Sequence, residues 1–346
     1  MKPTLRALPT ALLAVGPIAL FCPSTAPSDG PSLAARVVAL QRKTTMLQRF
    51  GTELFVVGAD LRLRNGAGAT STVNGLGNLV IGYDVGGAGG GSHNLVVGDA
   101  HTRTSYGGVL AGRANRVSAP HAVAVGASGP TDARIAEATG AVAVGGVGAR
   151  ADGPGAVAVG GRMPWASGPR STTFGGNDNH SVGAGAVVVG GQQNEASGDL
   201  SVILGGLGGE TAAAAPRAVV AGGQAQTANA GDSVILGGGS NETSGAGSVA
   251  VGGASNSTHA VDAVAVGGLF VRAEGVSAVA LGGTQTIARG GVAVGGLRSI
   301  AIGIWSVVTG GTDNTATGSH ASNSGGVGRW VSATNGWVAG SLFEND

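Results

Sequence analysis

The side chains that usually do chemistry are few in this chain, and their spacing is not typical of a catalytic or metal site. The six histidines, at positions 93, 101, 121, 180, 259 and 320, include no pair at the i, i+4 spacing with which a helix holds zinc. The 19 acidic residues are thinly spread, whereas a polysaccharide-cleaving solenoid needs carboxylates clustered on one face. The glycine-rich stretch 86–91 lacks the lysine of a phosphate loop. We therefore expect no catalytic residues, no cofactor and no metal ion.

The elements that must position any functional group follow from a glycine that recurs about every fifteen residues. It usually ends a short apolar run, Val-Ala-Val or a close variant, and lies at positions 145, 160, 175, 190, 205, 222, 237, 252, 267, 282, 295, 310, 325 and 340, with 82, 98, 112 and 126 upstream. A short fixed period indicates one structural unit per repeat, each stacked on the last. The hydrophobic content of 42% is too high for a disordered chain. The sequence therefore predicts an all-β fold, a parallel β-roll or solenoid of ~15-residue coils over residues 77–346, as fixed by that glycine period.

Each repeat reads as two short strands joined by glycine turns, and the side-chain parity assigns faces to them. In the repeat 237–251, Val249 and Val251 share one face of a strand and Ala250 points to the other. We expect the valines to fill a thin core and the alanines to form a second, closely packing surface. Because two or three buried aliphatic side chains cannot offset the entropy of ordering a whole coil, we expect oligomerisation through this flat face.

A polar residue also recurs in register with the glycines. Asparagine lies four residues after the register glycine at Asn179, Asn194, Asn241, Asn256 and Asn314. Stacked coils place these side chains above one another, where their amides can form hydrogen bonds along the stack. We interpret the row as a structural ladder; the alternative is a row that binds a ligand.

The N-terminal residues 1–28 are typical of a signal peptide. Lys2 and Arg6 precede a mostly apolar stretch, and Ala26-Pro27-Ser28 offers a small-x-small cleavage pattern. Whether Cys22 is lipidated stays open, because the residue before it is a bulky phenylalanine. Later in the chain no stretch approaches the ~18–20 apolar residues of a membrane-spanning helix, which predicts no transmembrane anchor.

Residues 29–50 are predicted to form a short coiled-coil helix. Leu33, Val37, Leu40 and Leu47 follow a heptad seam, which is the pattern by which copies of a helix associate. The seam covers little more than two heptads, too few to hold together alone. It fits either a trimer seam attached to a larger oligomer or an amphipathic helix packed on its own chain.

The two ends of the array are expected to be capped. Residues 51–76 contain two candidate strands, 54–57 and 61–64, which we interpret as the N-terminal cap. Near the C-terminus, Trp330 and Trp337 are predicted to seal the open end of the core. The alternative for these two tryptophans is a platform on which carbohydrate stacks.

The repeats resemble those of a known family. Ser-Val-Ala-Val-Gly-Gly at 248–253 and Ala-Val-Ala-Val-Gly-Gly at 141–146, 156–161 and 263–268 are similar to the head repeats of YadA-like trimeric autotransporter adhesins. The resemblance implies a left-handed β-roll that joins two other copies through its inner sheet. The stretch 74–83 and the end 337–343 look like secreted bacterial proteins with the same repeats but without the membrane anchor.

Together these features predict a secreted or cell-surface, non-enzymatic head domain. It would be a homotrimer whose repetitive surface attaches to extracellular matrix, a host surface or a polysaccharide. The alternative is a structural scaffold or matrix protein that assembles through its flat sheet faces. With 20 basic and 19 acidic residues and no long basic block, no nucleic-acid partner is expected.

Overall fold

The computed structural model describes residues 32–44, 46–50, 52–127 and 133–340. The predicted signal peptide, residues 1–28, and Cys22 lie outside these ranges. The chain divides into two compact units, Met1–Arg62 and Leu63–Asp346. Each unit is described separately below.

The described part of the first unit is one helix followed by a hairpin. Helix α1 spans Leu33–Thr44, and strands β1 (Leu47–Phe50) and β2 (Glu53–Val56) pair in antiparallel fashion. The predicted helix is therefore shorter than the expected range 29–50, since Leu47 lies in β1. Pairing with β2 gives residues 47–50 a backbone ladder that a last, exposed helical turn lacks.

The predicted cap over residues 51–76 also differs from the structure. Its first expected strand corresponds to β2, but residues 61–64 form no strand. The chain there already belongs in part to the second unit, which begins at Leu63. A short apolar run beside a glycine does not by itself distinguish a strand from a loop in the sequence.

The second unit is a parallel β-solenoid, which confirms the fold class predicted from the glycine period. Eighteen strands pair in sequence into one parallel sheet, here called the long sheet. Its strands are β3 Leu79–Ile81, β4 Leu95–Asp99, β6 Val109–Arg113, β8 Val123–Ala127, β10 Val142–Val144, β12 Val157–Val159, β14 Thr172–Phe174, β16 Val187–Val189, β18 Val202–Leu204, β20 Val219–Ala221, β22 Val234–Leu236, β24 Val249–Val251, β26 Val264–Val266, β28 Val279–Leu281, β30 Val292–Val294, β32 Val307–Thr309, β34 Ser322–Ser324 and β36 Trp337–Ala339.

The intervening strands form a second parallel sheet of 16 strands that faces the long sheet. They are β5 Thr102–Arg103, β7 Arg116–Val117, β9 Ile135–Ala136, β11 Arg150–Ala151, β13 Trp165–Ala166, β15 His180–Ser181, β17 Glu195–Ala196, β19 Glu210–Thr211, β21 Thr227–Ala228, β23 Glu242–Thr243, β25 Ser257–Thr258, β27 Arg272–Ala273, β29 Ile287–Ala288, β31 Ile300–Ala301, β33 Thr315–Ala316 and β35 Trp330–Val331. One strand of each sheet and the turns between them make one coil.

The register explains why the period in the sequence is so regular. Val142 pairs with Val157, fifteen residues on, and most later coils repeat this step. The step of 17 between Val202 and Val219 and the step of 13 between Val279 and Val292 leave the pairing intact. The extra or missing residues are therefore taken up in the turns, where chain length is free to vary.

Two glycines show why the turns require this residue. Gly253 has φ 66°, and a Cβ there would lie 2.4 Å from Nδ2 of Asn256 and 2.4 Å from the carbonyl oxygen of Gly268. At Gly245 a Cβ would lie 1.8 Å from the carbonyl oxygen of Ala260 in the next coil. The first position needs a left-handed backbone and both need the space that a side chain would fill.

The core lies between the two sheets, and the middle residue of each three-residue strand from β10 to β34 is buried in it. This residue is alanine in many coils, as at Ala143 and Ala250, and a larger aliphatic residue in others, as at Val188 and Ile203. Val249 and Val251 are half-buried on the outer side of the strand that contains Ala250. The prediction that the two flanking valines of each Val-Ala-Val run fill the core is wrong, because they point outward and each strand contributes only its middle side chain to the core.

Candidate functional site

The candidate functional surfaces of the solenoid are the outward sides of its two sheets. We call the outward first and third residues of strands β3 to β32 of the long sheet the valine face. From Val142 to Val307 its first column is valine in every coil except at Thr172. The second column contains larger side chains as well, and Phe174 and Leu204 are 43% and 48% exposed. The result is an unbroken apolar stripe along the outside of the sheet.

The size of the valine face can be worked out from strand spacing. Sixteen strands at ~4.8 Å span about 70 Å, and two side-chain columns are about 10 Å wide. The face therefore covers roughly 700 Å², more than the ~300–600 Å² of the largest apolar patch on a typical monomer. An area of about 800 Å² per partner is what a standard protein interface buries.

The outward side of the second sheet has the opposite character, and we call it the polar face. The first residue of each of its strands points outward and the second points into the core. In chain order from β7, the outward residues are Arg116, Ile135, Arg150, Trp165, His180, Glu195, Glu210, Thr227, Glu242, Ser257, Arg272, Ile287, Ile300, Thr315 and Trp330. The solenoid is thus amphipathic across its thickness.

One stretch of the polar face is a connected ionic and aromatic network. The guanidinium of Arg116 donates to Glu137 at 3.1 Å, and Arg150 reaches the other oxygen of Glu137 at 3.7 Å. Arg150 also pairs with Asp152, whose Oδ2 accepts the indole N–H of Trp165 at 2.9 Å. The carbon of the same guanidinium lies 5.0 Å from the centre of the indole ring. The network holds the side chains of four successive coils in one arrangement.

The network ends at His180, which stacks on Trp165 with ring centres 4.0 Å apart and planes 7° apart. Its Nε2 lies 2.8 Å from Oγ of Ser167, the distance of a nucleophile–base pair. Among the described residues no carboxylate bonds to the other ring nitrogen to orient it. Burial lowers the pKa of His180, and the negative charges of Glu195 and Asp152 partly oppose this effect. The pair therefore lacks the third group of a catalytic triad.

The five predicted asparagines lie in the core, at the turn that leads into the second sheet. Asn179, Asn194, Asn241, Asn256 and Asn314 are all at least 99% buried. Oδ1 of Asn256 accepts the backbone N–H of Val271 in the next coil at 2.8 Å, and its Nδ2 donates to the carbonyls of Gly252 and Gly267. Their amides thus bond to the backbone of neighbouring coils, and their burial places them away from any external ligand.

Sequence reasoning missed two members of this row. Gln226 donates to the carbonyl of Gly237 and accepts the N–H of Asn241 at 3.0 Å. Asn115 accepts the N–H of Arg134 at 3.1 Å. Gln226 occupies the same offset, four after its register glycine, so a search for any amide side chain would have found it.

The two tryptophans predicted to seal the core lie outside it. Trp330 is 71% exposed on the polar face, and its indole N–H donates to Thr317 at 3.0 Å. Trp337 is exposed on the outer side of the long sheet. The inward residue beside Trp330 is Val331, which is buried. The prediction of a tryptophan cap is therefore wrong, and the reason is the same reversed parity that places the valines outside.

The helical seam residues are exposed within the first unit. Leu33, Val37 and Leu40 all lie on α1, and Leu47 lies on β1. No described helix is long and apolar enough to cross a bilayer. Within the described ranges, no group of three or more histidine, cysteine or acidic side chains is placed to hold a metal ion.

Comparison of the chain with models of known protein families gives no match, and no curated protein is significantly similar to it in sequence. We therefore infer the function of the chain from the two faces of the solenoid and from the cavities in them.

Proposed function

We propose that three copies of this chain associate through their valine faces and display their polar faces outward as an adhesin-like, non-enzymatic head at the bacterial surface or in secreted form. The observation that supports this most is the position of the valines. A stripe of roughly 700 Å² of apolar surface, opposite a face rich in charged residues, needs a cover that is itself apolar and equally long. A second copy of the same face meets both requirements.

The distribution of charge favours self-association over attachment to an unrelated partner. From β10 to β32 the outward residues of the long sheet include no charged side chain, whereas the polar face holds arginines and glutamates in many coils. Charged residues are depleted in the centres of obligate interfaces and kept at exposed surfaces. The number of three copies, the left-handed coil and the role in attachment come from the resemblance to adhesin head repeats.

Helix α1 adds a second, independent argument. Leu33, Val37 and Leu40 are exposed at heptad spacing on a helix of 12 residues. A helix of this length is marginal in water by itself, and association of copies would bury its seam. We therefore propose a short coiled coil that sets the register of the assembly.

Sedimentation velocity of the full chain tests the proposal. A trimer has a mass of about 99 kDa, three times the 33.0 kDa of one chain. The variant that replaces both Val264 and Val279 by aspartate should dissociate, since unpaired carboxylates in a dry interface are strongly destabilising. The matched control Ile287→Asp lies on the polar face, on the strand that follows Val279 in the chain, and should remain a trimer.

The other outcomes are equally informative. A wild-type protein that sediments as a 33.0 kDa monomer overturns the proposed association. Open-ended polymers that pellet would instead favour the scaffold or matrix protein. If Ile287→Asp dissociates the trimer and the valine-face variant does not, the polar face is the interface and the display surface is misassigned.

A further inference from the structure

The polar face has a notch where its side chains become small for one coil. Glu242, Ser257 and Arg272 lie in register on the neighbouring strands β23, β25 and β27. At a strand spacing of ~4.8 Å the backbones of the two charged residues are about 10 Å apart, with only a serine between them. The result is an open cavity of about 580 Å³. This is within the ~300–1,000 Å³ of small-molecule sites.

An aromatic ring forms one wall of the notch. Phe270 precedes β27 and is 42% exposed, and the equivalent residue of the preceding coil is the small Ser255. Its backbone is left-handed, with φ 57°, a conformation that glycine or asparagine adopts more easily. The conformation of the turn therefore does not account for a phenylalanine at this position. Its ring lines the open notch.

The charges around the notch balance, but their hydrogen-bonding capacity does not. Glu274 is bound to Arg289 at 2.7 Å, and Glu242 accepts from the side chain of Asn229 at 2.9 Å. The backbone N–H of Arg272 donates to the carbonyl of Thr286, but its side chain has no ion pair or hydrogen bond with any residue that the structure describes. The two carboxylates and two guanidiniums sum to zero charge, while Arg272 and the serine Ser257 keep donors free to serve a ligand.

We propose that this notch binds one neutral hexose unit of a glycan. Sugar hydroxyls both donate and accept, so they match a wall with a free guanidinium on one side and the carboxylate of Glu242 on the other. The apolar C–H side of the ring packs against Phe270. A sugar carboxylate would instead meet Glu242 across the notch. The notch gives the polar face a ligand class, and its biological setting rests on the proposed function above.

Saturation-transfer difference NMR with the full chain tests the site. The probes are the methyl glycosides of glucose, galactose and mannose, with methyl glucuronide as the acidic counterpart of the glucoside. We expect saturation transfer to at least one neutral glycoside, with an affinity on the order of 1 mM, and at least tenfold weaker binding of the glucuronide. Arg272→Ala should weaken the neutral glycoside about tenfold or more, because it removes a charged donor.

A second variant fills the space of the notch and replaces the Ser257 hydroxyl by an amide. Ser257→Gln places a longer side chain in the notch and should abolish binding, whereas Thr315→Gln, in the same outward column four strands away, should leave it unchanged. Arg162→Ala serves as the control for loss of an exposed arginine.

Four results would overturn the sugar site. They are no transfer to any neutral glycoside, transfer that survives both Arg272→Ala and Ser257→Gln, loss of binding in the control variants, or a preference for the glucuronide. Sedimentation of the same samples separates this proposal from the previous one. Sugar binding by a monomer would support the sugar site and contradict the trimer. A trimer that binds no sugar would support the association and contradict the sugar site.

Discussion

Strand β10 offers a direct test of which side of the long sheet is buried. It contains the inward Ala143, which has no exposed surface, and the outward Val144. Replacing Ala143 by isoleucine adds three carbon atoms to the core, whereas replacing Val144 by leucine adds one carbon to the valine face. The reversed assignment, with valines inside, would predict that the second change is the harmful one.

The expected size of the effect follows from what surrounds Ala143. Its register partners are Ala124 and Ala158, and the core cluster beside it contains Ala141 and Ala151, all without exposed surface. None of these neighbours has a methylene group to give up, so isoleucine must displace them here, although Ile203 and Ile235 fill the equivalent position in coils that are packed around them. Overpacking of this kind costs about 1–3 kcal/mol.

The valine face, in contrast, already accepts side chains of different sizes. The column that contains Val144 has alanine at Ala221, leucine at Leu204 and phenylalanine at Phe174. Val144→Leu should therefore change the free energy of unfolding by no more than about 0.5 kcal/mol. It is the matched control, since both positions lie in one strand.

Urea unfolding followed by circular dichroism measures both variants at equal protein concentration. We expect the midpoint of Ala143→Ile to fall well below that of the wild type and the midpoint of Val144→Leu to stay close to it. The burial pattern is refuted if Ala143→Ile unfolds with the wild type, or if Val144→Leu is the less stable of the two.

Three further changes probe single interactions, each by thermal unfolding. Gly253→Ala should destabilise the protein more than Gly252→Ala. Both residues have positive φ, but only at Gly253 does the new Cβ collide with its surroundings. Equal losses of stability in the two variants would mean that backbone strain alone matters. Asn256→Leu leaves the buried N–H of Val271 and the carbonyl of Gly267 without their partner, and should cost about 2–4 kcal/mol; a loss below 1 kcal/mol would contradict the ladder. His180→Phe concerns pH: because burial lowers the pKa of His180 below its ordinary 6.5 in the folded state, its protonation favours unfolding. The wild type should be most stable above pH 6.5 and lose stability as the pH falls through the lowered pKa. Between pH 7 and 5 its unfolding temperature should fall more steeply than that of the variant. Parallel plots of unfolding temperature against pH would exclude the histidine as the cause.

The period of the solenoid could be predicted from the sequence because every coil must return to the same register. Gly253 and its equivalents occupy left-handed positions against the backbone of the next coil, so no other residue replaces them without strain. The asparagine row was visible for a related reason. Asn256 bonds to backbone groups that exist in every coil, so the same offset recurs wherever that bond is made.

The assignment of inside and outside could not be predicted by the rule that the larger apolar residues are buried. In this fold each strand contributes two or three residues, and the interior is one side chain wide on each sheet. Hydroxyl pairs cross it directly, as where Oγ1 of Thr258 donates to Oγ of Ser248 at 2.7 Å. The inner column varies in size as well, from Ala143 to Ile203, so side-chain size in the sequence does not distinguish the two sides of the strand.

The notch was hidden from sequence reasoning for a different reason. Glu242 and Arg272 are thirty positions apart, and only the register of two successive coils places them on either side of Ser257. Phe270 looks in the sequence like a residue that should be buried. The site combines residues from three successive strands of the second sheet. The sequence alone does not show which residues of those strands lie next to one another.

The small size of the core bears on why the chain would assemble at all. The interior is lined mostly by alanine, serine, threonine and amide side chains, with one larger aliphatic side chain in coils such as those of Val188 and Ile203. It removes little apolar area from water per coil, and the hydrophobic stabilisation scales with that area. The largest aliphatic side chains of most coils, such as Val249 and Val251, stay half-exposed on the outer side of the long sheet. Their full burial is available only when another apolar face covers them. Folding and association of the solenoid are therefore expected to be coupled, so its unfolding midpoint should rise with protein concentration, as it does for obligate oligomers.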